Sequence, residues 1–231
     1  KTTTGALTLI GTGGVGGSSE AFCLIDAMTL GAVGQSGDII LRGNSFLFNA
    51  GNVSVLTSGG LTIEPTGASF TAALNTQKFT LPALLTSATL GKAGNTGDIT
   101  VANAMATSGA ITITGGAVAL NGALSSTGGD IGITTTALTG SSGITIPATK
   151  TLTLTQSGSS TYAGAISGGG SLVKAGAGTL ALSASSGFTG TTSISAGTLP
   201  LGGGGTSGWL TGTSSIAVDG RSTIRRADHV T

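Results

Sequence analysis

Residues 6–22 read ALTLIGTGGVGGSSEAF. An apolar run leads into Gly11, Gly13 and Gly16, the G-x-G-x-x-G spacing that lets a backbone turn approach a dinucleotide pyrophosphate. That chemistry makes three demands: a helix opened by the glycines, a second strand within about 30 residues, and an acid closing that strand to hold a ribose. Residues 18–30, SSEAFCLIDAMTL, come nearest to a helical pattern. Asp38 lies at about the right distance but precedes its apolar run instead of ending it. No further alternation of strand and helix follows. With 43 glycines in 231 residues, the motif reads as a chain corner.

The other chemistry-bearing residues are sparse. The eight acids are Glu20, Asp26, Asp38, Glu64, Asp98, Asp130, Asp219 and Asp228. Asp38, Asp98 and Asp130 share the context Gly-Asp-Ile, which suits a turn acid capping N–H groups at a strand entrance. Each is separated from the next by more than one repeat length, so a stacked calcium ladder in adjacent repeats is not expected. The single His, His229, is close to the end, a poor anchor for a nucleophile–base pair. The single Cys, Cys23, lies in AFCLIDAM and reads as a small buried hydrophobe. No paired-Cys, His-Glu-x-x-His or P-loop spacing occurs. The sequence therefore offers no catalytic residue, no metal site and no cofactor site.

Two residue types remain as candidates for contact with a ligand. Trp209 and Tyr162 are the only Trp and Tyr, and aromatic rings are surfaces on which sugars stack. Trp209 sits in the glycine-rich GGGGTSGWLTG, where its alternative is packing over an end of the fold or a neighbouring segment. Thr-x-Thr recurs at Thr112, Thr149, Thr151, Thr153 and Thr211. Ranked threonines on a flat face would suit ice binding, but these pairs do not recur at one position of the repeat, so ordinary strand-surface Thr is expected.

The elements that would carry these residues are strands. Charged residues are 7 % of the chain against a usual ~25 %, yet mean hydropathy is +0.42, so the chain has enough apolar surface to fold. Thr, Ser, Ala and β-branched residues favour strands over helices. Short alternating runs such as DIILR (38–42), VSVL (53–56), AITI (110–113), AVAL (117–120) and TLTLT (151–155) are punctuated by Gly, Ser, Asn and Thr. Their anchors are regularly spaced. Ile111, Ile131, Leu152 and Leu172 are 20, 21 and 20 apart, and Ile39, Leu61, Phe79 and Ile99 are 22, 18 and 20 apart. A period near 20 without helices predicts an all-β, parallel β-solenoid, in which only stacking buries the apolar face. A β-sandwich is the alternative. The period implies about 11–12 coils and a rod of roughly 50–60 Å. Net charge is +1 and the cations are scattered, which excludes a nucleic-acid interface. No apolar run is long enough to span a membrane. No leader is apparent at the start, and the abrupt ends read as those of a segment of a longer protein.

Two stretches resemble families of large bacterial surface proteins. GTGGVGG (11–17), LIDAMTL (24–30), SGDIILRG (36–43) and above all residues 97–131 resemble filamentous-haemagglutinin-like repeats. Residues 161–199, TYAGAISGGGSLVKAGAGTLALSASSGFTGTTSISAGTL, resemble the autotransporter-associated β-strand repeat. The matching positions include Tyr162, Leu172, Lys174, Gly178, Leu180, Phe188 and Gly197. Pro200 departs from the pattern and is expected to interrupt the last strand. The implied organisation is filamentous-haemagglutinin-like coils over 1–160, the autotransporter-associated repeat over 161–200, and a glycine-rich continuation or tail over 201–231. Both resemblances imply a right-handed parallel β-helix passenger, and with it a non-enzymatic adhesin rod, secreted or displayed at the bacterial surface. Its partners would be adjoining repeats of the parent chain, an outer-membrane transporter during export, and a surface glycan or cell-surface ligand. The alternatives are a filament subunit that associates end to end and, further off, a carbohydrate-active or ice-binding solenoid.

Overall fold

The computed structural model describes residues 4–11, 22–24, 26–48, 51–202 and 208–226. Thr12 to Gly16 of the glycine motif, Glu20, Asp228 and His229 lie outside the described residues, as do residues 203–207, and of Cys23 only the backbone is described. Among the described residues every extended element is a parallel strand, and the sole helical element is the single 3-10 turn Thr76–Lys78. The chain is a β-solenoid.

Its longest face is a ten-stranded parallel sheet: Leu7–Ile10, Ile39–Arg42, Leu61–Glu64, Ala88–Leu90, Ile111–Thr114, Ile131–Thr135, Thr151–Gln156, Ser171–Ala175, Thr192–Ile194 and Ile216–Val218. Register fixes the coil. Leu7, Ile39, Leu61, Ala88, Ile111, Ile131, Leu152, Leu172, Thr192 and Ile216 form one inward column. Two residues on, Leu9, Leu41, Ile63, Leu90, Ile113, Ile133, Leu154, Lys174, Ile194 and Val218 form the next. The intervening side chains point outward, as the period-2 pleat requires. Nine steps of ~4.8 Å give a rod of about 43 Å.

The count of 11–12 coils is corrected to about nine turns along the ten-stranded face. The cause lies in the first half, where the coils run longer than the period read from the anchors. Phe79 and Ile99, read from spacing as anchors in line with Leu61, belong to other faces. Phe79 pairs with Val53, and Ile99 with Leu74 and Val118. The span that seemed closest to a helix contains the strands Phe22–Leu24 and Met28–Gly31.

A second face contains Ile99–Val101, Ala117–Leu120 and Ala137–Gly140, then Ser159–Tyr162, Thr179–Leu182, Thr198–Leu201 and Thr223–Arg226. A third stacks Met105–Thr107, Leu124–Ser126, Ile144–Ile146 and Ile166–Gly168. The long face passes from Thr151–Gln156 to Ser171–Ala175 without a break. Pro200 does not interrupt its strand. It lies inside Thr198–Leu201 in register with Arg225. Proline removes only one ladder donor, a loss that a strand near the end of a stack tolerates.

The three Gly-Asp-Ile acids do one job at two corners. Asp38 Oδ1 accepts from Gly60 N (2.7 Å), Asp98 Oδ1 from Ala117 N (2.7 Å) and Asp130 Oδ1 from Thr151 N (2.8 Å). Each carboxylate thus caps an N–H of the next coil, not of its own turn. Asp38 and Asp130 enter the long face and Asp98 the second face. Gly140 (φ +110°) and Gly168 (φ +105°) end strands at tight corners in the left-handed region that only glycine enters freely.

Candidate functional site: a threonine-lined corner groove

The two aromatic candidates have opposite environments. Tyr162 is fully buried in the second face, and its phenol donates to the carbonyl of Ser142. Gly164 lies so close that a Cβ there would collide with the phenol oxygen. Burial pushes the Tyr162 phenol well above its ordinary value. The expectation that Tyr162 presents a sugar-stacking surface is corrected: the ring has none to offer, because it fills the core beside a glycine. Trp209 is 41 % exposed. Its carbonyl accepts from Ser186 N at 2.6 Å, and Leu210 beside it bridges to Ser186. The structure does not bring the two residues onto one surface.

What the structure does bring together is a corner between the long and second faces. Gly94, Asn95, Thr96, Thr114, Gly115, Thr134, Thr135, Thr136, Thr155, Gln156, Ser157 and Gly176 line a cavity of about 250 Å³. They come from five successive coils, so the groove runs along the rod axis. Thr114, Thr134 and Thr155 stand in one outward column, each in register with the next. Single threonines thus align from coil to coil, and a second column, Thr62, Thr89 and Thr112, aligns likewise. Gly132, in register between Thr112 and Thr153, interrupts the second column. The face is two threonines wide only at separated coils.

Beneath the groove the corner is held by buried polar side chains. Asn95 Oδ1 accepts from Ser69 Oγ (2.9 Å) and Phe70 N (3.0 Å), while its Nδ2 donates to Thr114 O (2.8 Å). Thr135 Oγ1 donates to Gly116 O (2.5 Å). Gln156 Nε2 donates to Ser160 Oγ (2.9 Å), Thr179 O (2.9 Å) and Gly158 O (3.1 Å). Gln156 Oε1 is buried without a hydrogen-bond partner. An unmatched buried acceptor costs about 1–3 kcal/mol.

One coil further, Lys174 occupies an inward position between Leu154 and Ile194 and is fully buried. Its ammonium curls to the corner and donates to Ala175 O (2.8 Å), Gly176 O (2.9 Å) and Ala196 O (3.3 Å). Burial lowers the amine below its ordinary value. The only ion pair among the described residues is Arg42–Glu64 on the long face (2.6 Å). No three His, Cys, Asp or Glu side chains converge among the described residues, and none of those types lines the groove. The arrangement can bind by hydrogen bonds and shape. It holds no acid–base pair.

Sequence reading missed Thr114, Thr134, Thr155 and Gln156 as a group. The available signal was TIT at 112–114, TTT at 134–136 and TQ at 155–156, whose groove threonines are 20 and 21 apart. No curated protein and no solved structure matches the chain. The passenger-associated-transport-repeat family matches residues 172–200, within the long and second faces and almost wholly inside the stretch that resembles the autotransporter-associated repeat. Residues 172–200 thus match a passenger-associated transport repeat within a continuous β-solenoid, and the two together fit an autotransporter-passenger-like β-helix.

Proposed function

We propose that the chain is a non-enzymatic, adhesive rod segment of an autotransporter passenger displayed at the bacterial surface. The observation that carries this reading is the passenger repeat at 172–200 lying in register with the coils before and after it. The use of the described turn acids supports it: Asp38, Asp98 and Asp130 are engaged in joining coils. An outer-membrane transporter would be the partner during export, and filamentous-haemagglutinin-like coils before residue 160 would extend the rod.

The experiment is antibody labelling of intact cells that make the parent protein, using serum raised against this segment, together with binding of purified segment to host and bacterial cells. Labelling without permeabilisation and saturable cell binding are expected. Labelling only after permeabilisation overturns the surface assignment, and absence of cell binding by folded segment overturns the adhesive one.

A second reading is favoured by one feature. Ile216 and Val218 continue the inward columns at the last described strand of the long face, yet are 45 % and 41 % exposed. An exposed apolar rung suits stacking of another coil, from an adjoining repeat or from a second copy end to end. Sedimentation velocity tests the latter. Mass that grows with concentration, and that Ile216→Lys abolishes, is expected for a filament subunit, and a monomer at all concentrations excludes it.

A further inference from the structure

We propose that the corner groove binds a neutral polysaccharide strand lying along the rod axis. This rests on the adhesive reading and deepens it by naming a ligand class and its site.

Shape comes first. The groove crosses five coils, from Gly94–Thr96 to Gly176, or about 19 Å at the strand spacing. Its volume of about 250 Å³ falls below the ~300–1,000 Å³ of pockets that enclose a drug-sized ligand. It therefore suits an extended polymer seated unit by unit. Chemistry comes second. Thr96, Thr114, Thr134, Thr136, Thr155 and Ser157 line the groove, which presents mostly apolar surface and a smaller polar share, and within that share a hydroxyl can donate to and accept from a sugar hydroxyl. The threonine methyls between them give the groove an apolar surface on which the C–H faces of sugar rings can rest. No charged side chain lines the groove. The neighbouring Lys174 ammonium is turned inward onto three carbonyls, so an anionic chain finds no counter-charge.

The third point is Gln156, which lines the groove. Its Oε1 has no donor, while its amide nitrogen is fully committed. That acceptor lies beneath the groove floor, so a sugar hydroxyl, a donor of the right kind, reaches it only with a shift of the floor. A peptide strand is a poor occupant. The corner backbone is already paired between coils, Gly115 N to Thr134 O (3.0 Å), Thr136 N to Gly116 O (2.8 Å) and Ser157 N to Thr135 O (3.1 Å). These ladder donors are spent, so an added strand gains little there.

The test is amide NMR of the whole segment titrated with dextran, mannan and a β-glucan, and with polygalacturonate and heparin as anionic comparators. At least one neutral polymer should shift the Gly94, Gly115 and Gly176 amides saturably. The triple variant Thr114→Val, Thr134→Val, Thr155→Val keeps shape and strand propensity and should weaken binding at least tenfold. Thr134→Arg, at an exposed position, should block it as well. The control pair Thr62→Val, Thr89→Val should bind as the parent does. The proposal falls if no neutral polymer moves the groove amides, if an anionic polymer binds better, if the control weakens equally, or if Trp209→Ala abolishes binding that the groove variants retain. Cell binding that survives the groove variants would leave the adhesive reading standing and remove only this site.

Discussion

The coils from Ile111 to Thr192 and those before Ala88 solve the same problem differently. In the later region successive members of the inward column are 20, 21, 20 and 20 apart in sequence, whereas in the earlier region they are 32, 22 and 27 apart. The later coils stack mostly Ile and Leu on Ile and Leu in these columns, with Lys174 and Thr192 the exceptions. The earlier coils carry five of the six phenylalanines, of which Phe70 and Phe79 are buried and Phe46 packs partly buried against the core. Phe70 packs edge-on against Phe46 at 6.1 Å. The chain after Glu64 folds back onto Asn44, whose Oδ1 takes Thr66 Oγ1 and Gly67 N, both at 2.8 Å. Regular length thus lets identical contacts repeat, and irregular length requires local solutions. The passenger repeat falls in the regular region.

The comparison predicts that the regular stack is stiff where backbones touch. A Cβ on Gly129 would collide with the carbonyl carbon of Gly109 and with Ala110 N, while one on Gly132 meets nothing within 4 Å. Gly129→Val is expected to destabilise by more than ~4 kcal/mol. Gly132→Thr should be neutral or gain about 0.5–1 kcal/mol. Urea denaturation of both variants checks this, and equal midpoints would break the idea that coil spacing limits the stack.

Next in size are the columns. Ile133→Ala should cost about 3 kcal/mol, within the usual range for a buried large-to-small change. Leu9, only half-buried in the first coil, should cost about 1 kcal/mol when cut to Ala. A Leu9 effect as large as that of Ile133 would mean that the first coil is as tightly packed as the middle.

Tyr162 gives a pH test inside the regular region. Its folded pKa is raised by burial, so the stability from the protonated phenol is complete below pH ~10 and lost as pH rises above that value. It is the only tyrosine, so phenolate absorbance reports it alone. That absorbance should appear together with unfolding, not before it. Tyr162→Phe should remove this alkaline component and cost about 1–2 kcal/mol at neutral pH, because Ser142 O loses its donor. Phenolate forming in the folded protein near pH ~10 would contradict the buried placement. Lys174 acts in the opposite direction: its lowered pKa is a burden at neutral pH that lifts as pH rises toward 10.5.

The smallest effect should be the same in both regions. Asp38→Ala and Asp130→Ala each remove one carboxylate from one N–H of the following coil and should each cost about 1 kcal/mol. A clear difference by thermal melting would show that coil length alters the cap as well as the core.

Much of the fold was legible because inward positions alternate with outward ones wherever two apolar anchors fall in one strand, as in Ile111–Thr114 or Thr179–Leu182. The third face, apart from Ile144–Ile146, was not. Met105–Thr107, Leu124–Ser126 and Ile166–Gly168 have one apolar anchor each at an inward place. The next inward place is taken by Thr107 or Ser126, whose buried hydroxyls bond the carbonyl of Gly109 at 2.6 and 2.8 Å. A hydroxyl pointing inward breaks the alternation that marks a strand. Tyr162 was misplaced for a related reason: a ring that fills a core beside a glycine has the same composition signature as one offered to a ligand.

By itself, then, the sequence determined a charge-poor parallel solenoid with a period near 20, since short-range alternation and glycine corners act within a few positions. Tertiary structure alone decided which anchors share a face, that Asp38, Asp98 and Asp130 reach across to the next coil, and that Thr114, Thr134, Thr155 and Gln156 meet at one corner. Those relations join residues a full coil apart, and because coils of 20 to 32 residues all keep one column in register, spacing along the chain does not say which residues meet.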